Sequence, residues 1–177
     1  MTKVRRIAIG IAGIVIMGAL VARAADRPDA WVTMSTKVAL MTTDGVSTSN
    51  LNVDTVKGVV TLHGKVKTAE EKAKAEQVAK GVEGAKEVKN LLQVVPSADR
   101  KVVERSDDDI QKAVDKAFKA NKQVNDSGIK VASVNKGVVL LSGKTKSMAA
   151  HLQAVKLADA VHGVRRVSTE VEVVPST

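Results

Sequence analysis

The sequence holds no cysteine and no tyrosine, and its only aromatic residues are Trp31 and Phe118. The missing thiols exclude disulfide staples, thiolate metal centres, cysteine nucleophiles and a lipid-bearing cysteine. The missing rings argue against base-stacking platforms for single-stranded nucleic acid and against aromatic sugar platforms. Catalytic patterns are equally scarce. His63, His151 and His162 show neither H-x-x-x-H nor H-E-x-x-H spacing and read as surface or edge residues. The Asp107-Asp108-Asp109 run lacks the later glycine and glutamate of a calcium loop. No nucleophile elbow or phosphate loop is present, since Gly10-x-x-Gly13 falls in an apolar run near the N-terminus. No catalytic residue, no metal and no cofactor is expected.

What the 177 residues do contain is 44% hydrophobic side chains, mostly valine, leucine, isoleucine and alanine, enough for one or two modest domains stabilised by packing alone. The formal charge of +9 is partly discarded on export. Residues 1–24 read as a signal: Lys3, Arg5 and Arg6, an uncharged stretch from Ile7 to Val21, then Ala22-Arg23-Ala24 as a small-x-small cleavage site before Ala25. A helix over that stretch spans only about 22 Å, short of a roughly 30 Å hydrocarbon core. Cleavage after Ala24 removes four positive charges from +9 and leaves +5. A mildly basic exported protein, placed in the periplasm, meets anionic headgroups more readily than nucleic acid.

An internal repeat organises the rest. Lys57-Gly58-Val59-Val60-Thr61-Leu62-His63-Gly64-Lys65 returns as Lys136-Gly137-Val138-Val139-Leu140-Leu141-Ser142-Gly143-Lys144, and residues 57–97 match 136–176 without gaps at 17 of 41 positions. Upstream the offset changes from 79 to 78, pairing Asp29 with Asp107, Leu40 with Phe118 and Leu51 with Ile129. The expected organisation is module one at 29–97, a charged linker at 98–106 and module two at 107–176.

Each module spells helix, strand, strand, helix, strand. Ile110, Ala113, Val114, Ala117 and Phe118 recur with helical period behind Asp107-Asp108-Asp109, which offers an N-cap. Turns at 125–128 and 135–137 flank alternating strand residues, a β-hairpin. Ala154, Leu157, Ala158 and Val161, matched by Ala75, Val78, Ala79 and Val82, mark a second helix stopped by Gly163 or Gly84. Glu70, Glu71 and Glu76 read as surface partners of Lys72, Lys74 and Lys80. Val167, Val171 and Val173 line a closing strand. The fold class is α+β, two helices covering one sheet face in each copy. Domains of this size bury only about 60% of their chain surface, so the copies are expected to pack together or onto a partner.

The Asp29 or Asp107 helix start, the Gly58-to-Gly64 and Gly137-to-Gly143 hairpin segments, the alanine-rich helix and the Gly84 or Gly163 step before a valine strand resemble the BON domain of bacterial osmotically inducible and nodulation proteins. The resemblance spans both modules. It implies α-β-β-α-β folds with a mixed three-stranded sheet, no catalysis, and association with phospholipid interfaces and envelope integrity under stress. Module one departs from the family at Ala85, where valine is usual, and at Thr36, where an aliphatic is usual, implying a looser core.

The outward faces of the two first helices differ. In module two Lys112, Lys116 and Lys119 form a stripe with Lys122 beside it, and Arg165 and Arg166 in a neighbouring loop are candidates to extend it. Such a ridge suits anionic headgroups, and a solvated helix face is the plain alternative. Module one carries Met34, Val38 and Met41 at the equivalent places, with Trp31 on nearly the same line. That apolar face is expected to close an interdomain seam, to roll into the core, or to contact a membrane or a client protein. The leading expectation is therefore an anionic phospholipid surface as partner; a periplasmic chaperone or scaffold gripping clients through module one is the alternative.

Overall fold

The structure, a computed structural model, describes residues 27–174; the signal expected over 1–24 lies outside the described residues. Module one comprises α1 (Asp29–Met41), β1 (Leu51–Val56), β2 (Val59–Val66), α2 (Ala69–Lys80), β3 (Glu87–Asn90) and β4 (Gln93–Val94). Module two repeats it as α3 (Arg100–Ala120), a short α4 (Lys122–Asn125), β5 (Ile129–Asn135), β6 (Val138–Thr145), α5 (Met148–Asp159), β7 (Arg166–Thr169) and β8 (Glu172–Val173). In each sheet the middle strand, β2 or β6, is antiparallel to the strand before it and parallel to the two short pieces at the end. The closing strand is broken because Asn90 turns its amide to Lys72 O and Glu76 while its Oδ1 takes the Leu92 N–H; Thr169 does the same work between His151 and Val171 N.

Four-residue spacing puts Val32, Thr36 and Leu40 of α1 on the sheet with Val53, Val60, Leu62, Ala75 and Ala79. Thr36 is fully buried, yet its hydroxyl donates to Val32 O at 2.8 Å, so the departure from an aliphatic leaves no unmet hydrogen bond. In module two Ile110, Val114 and Phe118 meet Val134, Val139, Leu141, Ala154 and Ala158 in the same arrangement. Both second helices start at a side-chain cap, Thr68 taking Glu71 N and Ser147 taking Ala150 N. They end at Lys80 and Asp159, four residues before the glycines expected to stop them, so Gly84 and Gly163 instead lie in the following turn against Val32 and Ile110.

The linker proves helical, and one further reading changes with it. The segment 98–106 is largely helix: it contains no proline or glycine after Pro96 and is rich in arginine, lysine and glutamate, so α3 begins at Arg100 and runs unbroken into module two. Asp107 is therefore no N-cap. Its carboxylate instead accepts from Lys136 N (2.9 Å) and Gly137 N (3.0 Å), as Asp29 accepts from Lys57 N (2.7 Å) and Gly58 N (2.8 Å). These pairs are the central residues of two-residue hairpin turns and all four have positive φ, between 49° and 79°. A lysine in that region costs about 1–2 kcal/mol, and the charged acceptor offsets it.

Candidate functional site

The reverse face of each sheet is where the modules meet. Along β2 the core residues Val60 and Leu62 alternate with Thr61, His63 and Lys65, of which Thr61 and His63 are buried and the Lys65 side chain is only 10% exposed. Module two presents Ser133, Asn135, Leu140 and Glu170 from the side of its sheet opposite Val139 and Leu141. The result is four layers, helix–sheet–sheet–helix, with a polar seam between the sheets.

A relay of hydrogen bonds crosses that seam. The Asn135 amide donates to Ser133 Oγ at 3.1 Å, Ser133 Oγ lies 2.9 Å from His63 Nδ1, and His63 Nε2 lies 2.8 Å from Asp54 Oδ2. With neutral imidazole, the Asp54 carboxylate can only accept, so Nε2 carries the proton and Ser133 donates to Nδ1. His63 is thus a buried tie between modules, contrary to its reading as a surface or edge residue; His151, bonded to Thr169 Oγ1, is half-buried and His162 is exposed. Serine, histidine and aspartate in a row have the composition of a hydrolase triad. The neighbouring cleft of about 660 Å³ is nevertheless lined by Met34, Asp54, Thr55, Lys130, Ser142 and Glu170 among others, and neither Ser133 nor His63 opens onto it. Two more contacts close the seam: Lys65 Nζ pairs with Asp107 Oδ2 at 3.0 Å, and Lys136 Nζ donates to Val94 O at 3.1 Å. Among the described residues no group of three or more possible ligands stands ready for a metal ion.

The seam carries two carboxyls shifted in opposite directions. The His63 hydrogen bond holds Asp54 below the usual aspartate value, whereas burial pushes Glu170 up, with its Oε1 buried and unpartnered among the described residues. For Glu170 the fold prefers the neutral form, so stability falls as pH rises from the ordinary glutamate range through the raised value. Glu170→Gln is expected to raise the thermal midpoint at pH 8, by roughly 2–4 °C per kcal/mol relieved, and to leave it unchanged at pH 4. Asp54 has the opposite sign: its stabilisation is present above the ordinary aspartate value and is lost as pH falls through the depressed one. Asp54→Asn is expected to lower the midpoint at pH 8 and to converge on the parent in strong acid. Thermal scans at several pH values check both.

The outer faces hold the other candidates. Lys112, Lys116 and Lys119 are exposed along one side of α3, Lys122 is exposed on α4, and none of the four pairs with a carboxylate among the described residues. Arg165 and Arg166, the candidates to extend that stripe, are both exposed at the start of β7. Arg165 reaches the Lys136 carbonyl at 3.5 Å, and Arg166 lies on the reverse face of β7, because its neighbour Val167 points to the core. On α1, Trp31, Met34, Val38 and Met41 are 39%, 61%, 54% and 70% exposed. They neither roll into the core nor make the seam, although Met34 borders the cleft. The Arg27 guanidinium sits 4.7 Å from the Trp31 ring centroid. Since α1 and α3 belong to opposite outer layers, the apolar and cationic stripes are separate surfaces. Gly58, Gly64, Gly84, Gly137, Gly143 and Gly163 are backbone positions at turns and close approaches, all with positive φ.

Sequence reasoning missed Asp54, Lys65, Asp107, Ser133 and Glu170 as a set. The available signal was Val138-Val139-Leu140-Leu141, four apolar residues in one strand, which only a sheet covered on both faces explains.

The family model of the BON domain matches residues 28–96 and 106–175. The chain is similar to osmotically-inducible protein Y of Escherichia coli (strain K12), at 33% identity over 145 residues, 81% of this chain and 72% of the relative. Two structures of CdsD, a structural protein of the type III secretion system of Chlamydia trachomatis, align over 84% and 85% of this chain and 68% and 65% of theirs, at 17% identity with TM-scores of 0.33 and 0.34, too distant to bear on fold or function. With two matched copies filling most of its length, each built as α-β-β-α-β, the chain belongs to the BON domain family.

Proposed function

We propose that this protein is an exported, non-catalytic component of the periplasm that associates with anionic phospholipid surfaces and supports envelope integrity under osmotic or other stress. The observation that carries the reading is the unpaired stripe of Lys112, Lys116 and Lys119 on the outer face of α3. Each ammonium contributes about 1 kcal/mol near an anionic bilayer, and salt weakens the attraction over a screening length of about 8 Å at physiological ionic strength. The osmotic induction named for its Escherichia coli relative supports the link to stress. Among the described residues no helix is long and apolar enough to cross a membrane, which suits surface association.

Cosedimentation with vesicles tests it. The purified protein is expected to bind vesicles rich in phosphatidylglycerol at low salt and not phosphatidylcholine vesicles; changing the three lysines to glutamate should weaken binding about a hundredfold or more. Indifference to anionic vesicles, or binding unchanged in the triple variant, overturns the reading.

One observation favours a second reading, a periplasmic chaperone or scaffold: Met34, Val38 and Met41, with Trp31 partly beneath Arg27, form an apolar stripe that is exposed among the described residues. An apolar grip persists as ionic strength rises, whereas the lysine stripe lets go.

A further inference from the structure

Methionine is among the side chains most often fully buried, yet all three methionines among the described residues stand on the surface. Met34 and Met41 lie on α1, and Met148, 55% exposed, opens α5. The interior is filled by valine, leucine, isoleucine, alanine and Phe118 instead. The chain also has no cysteine, so the thioether is its only sulfur and no thiol competes with it for an oxidant.

Two of the three share one face. Met34 and Met41 are seven residues apart, two helical turns or about 10 Å along the axis, and they bracket Val38. They are also the two most exposed members of the apolar stripe, so its character depends on them more than on Trp31 or Val38. Module two shows what the scaffold tolerates at the same places. The counterparts of Met34 and Met41 are Lys112 and Lys119, both exposed on α3, while the inward Ile110, Val114 and Phe118 keep the core packed. A strongly polar group at either position is therefore compatible with the fold. A change of polarity there alters the surface and leaves the packing beneath it alone.

We propose that Met34 and Met41 are a reversible modification site, at which two-electron oxidation by a hydroperoxide turns the outer face of α1 from apolar to polar without unfolding it. The Sδ lone pair forms an S–O bond as the O–O bond of the hydroperoxide breaks; sulfur is oxidised to the sulfoxide, and the hydroperoxide is reduced to its alcohol, or to water when it is hydrogen peroxide. A dithiol-dependent sulfoxide reductase reverses the step, the oxygen leaving as water and the dithiol becoming a disulfide. Two sulfoxides divide the stripe, since they separate Val38 from its apolar neighbours on both sides along the helix. The inference goes beyond both functional readings: it concerns the surface itself, and it leaves the lysine stripe of α3 untouched.

Hydrogen peroxide is the oxidant, and retention of the purified protein on a phenyl column in ammonium sulfate is the readout, because that salt strengthens apolar contact. Peptide mass mapping is expected to find one added oxygen on Met34 and on Met41, with the thermal midpoint unchanged and elution earlier in the falling salt gradient. Methionine sulfoxide reductases for both sulfoxide epimers, with dithiothreitol, should restore the original retention. The Met34→Leu, Met41→Leu protein should keep its retention through the same treatment, and the Met34→Gln, Met41→Gln protein should elute early with no oxidant. Met148→Leu should respond as the parent does, which separates α1 from α5. Met34 or Met41 left unoxidised, retention that does not move once both carry oxygen, an equal shift in the Met34→Leu, Met41→Leu protein, or a thermal midpoint that falls on oxidation would each overturn the assignment.

Discussion

Gly143→Ala is expected to destabilise the protein by at least about 3 kcal/mol, enough to remove a large share of an ordinary domain's total stability. The residue has φ +124°, and an added Cβ would lie 2.2 Å from the Gly128 carbonyl oxygen, far inside any real contact. Gly64 is its counterpart, at φ +123° with the Asn50 carbonyl 2.0 Å from the added atom. The closeness has a cause. The next residue, Lys65, donates its N–H to that same Asn50 oxygen at 2.8 Å, so the loop before β1 is drawn onto β2 where a side chain would stand. Backbone cannot step aside without breaking this bond and the edge pairing that starts at Leu51 and Gly64. Gly81→Ala is the control. Its φ is −81°, the nearest atom to an added Cβ is 3.5 Å away, and alanine there is expected to be neutral or to stabilise by up to about 1 kcal/mol. Denaturant unfolding of the two variants checks the contrast, and a Gly143→Ala protein as stable as Gly81→Ala would contradict it.

That contrast also shows how far the fold was legible. The repeat located Gly64 and Gly143 at the same step of each hairpin, because identical backbone demands recur at a fixed offset. Core positions were legible for the same reason: Leu40 and Phe118, or Ala79 and Ala158, fall on one phase of a helical period, and both are buried. The seam was not. Thr61, His63 and Lys65 alternate with core residues as a solvated strand face does, and periodicity reports which residues share a face without saying what covers it. What composition did not reveal is that the linker is helical from Arg100, although the family model leaves residues 97–105 between its two matches. Charges at 98–106 were read as a connector, but helix propensity concerns backbone and rotamer freedom, and arginine, lysine and glutamate are good helix formers. The outward stripes were legible as stripes. That they occupy opposite outer layers followed only from the sheets meeting back to back.

Asp107 is where the two levels of structure, hairpin and module pairing, share one side chain, and its removal is expected to exceed the loss of its twin. Asp29→Ala deletes a carboxylate that holds two turn N–H groups at a partly exposed hairpin, where water replaces it; a loss of about 1–3 kcal/mol is expected. Asp107→Ala deletes the same clamp at a residue 4% exposed and in addition strands the Lys65 ammonium, whose side chain is 10% exposed, without a counter-charge. An uncompensated buried charge is strongly destabilising, and about 3–5 kcal/mol is expected. The pair need not be worth that much by itself, since two desolvated charges repay each other only in good geometry. Lys65→Met combined with Asp107→Asn separates the contributions: it removes both charges, keeps the hydrophobic stem, and should be markedly less destabilising than the two single losses added together. A coupling of about 0.5–3 kcal/mol in that cycle identifies the pair as a contact between modules. Equal losses for Asp29→Ala and Asp107→Ala, with no coupling, would mean that the clamp acts within each hairpin alone and that the seam is held by His63, Ser133 and the apolar contacts around Leu140.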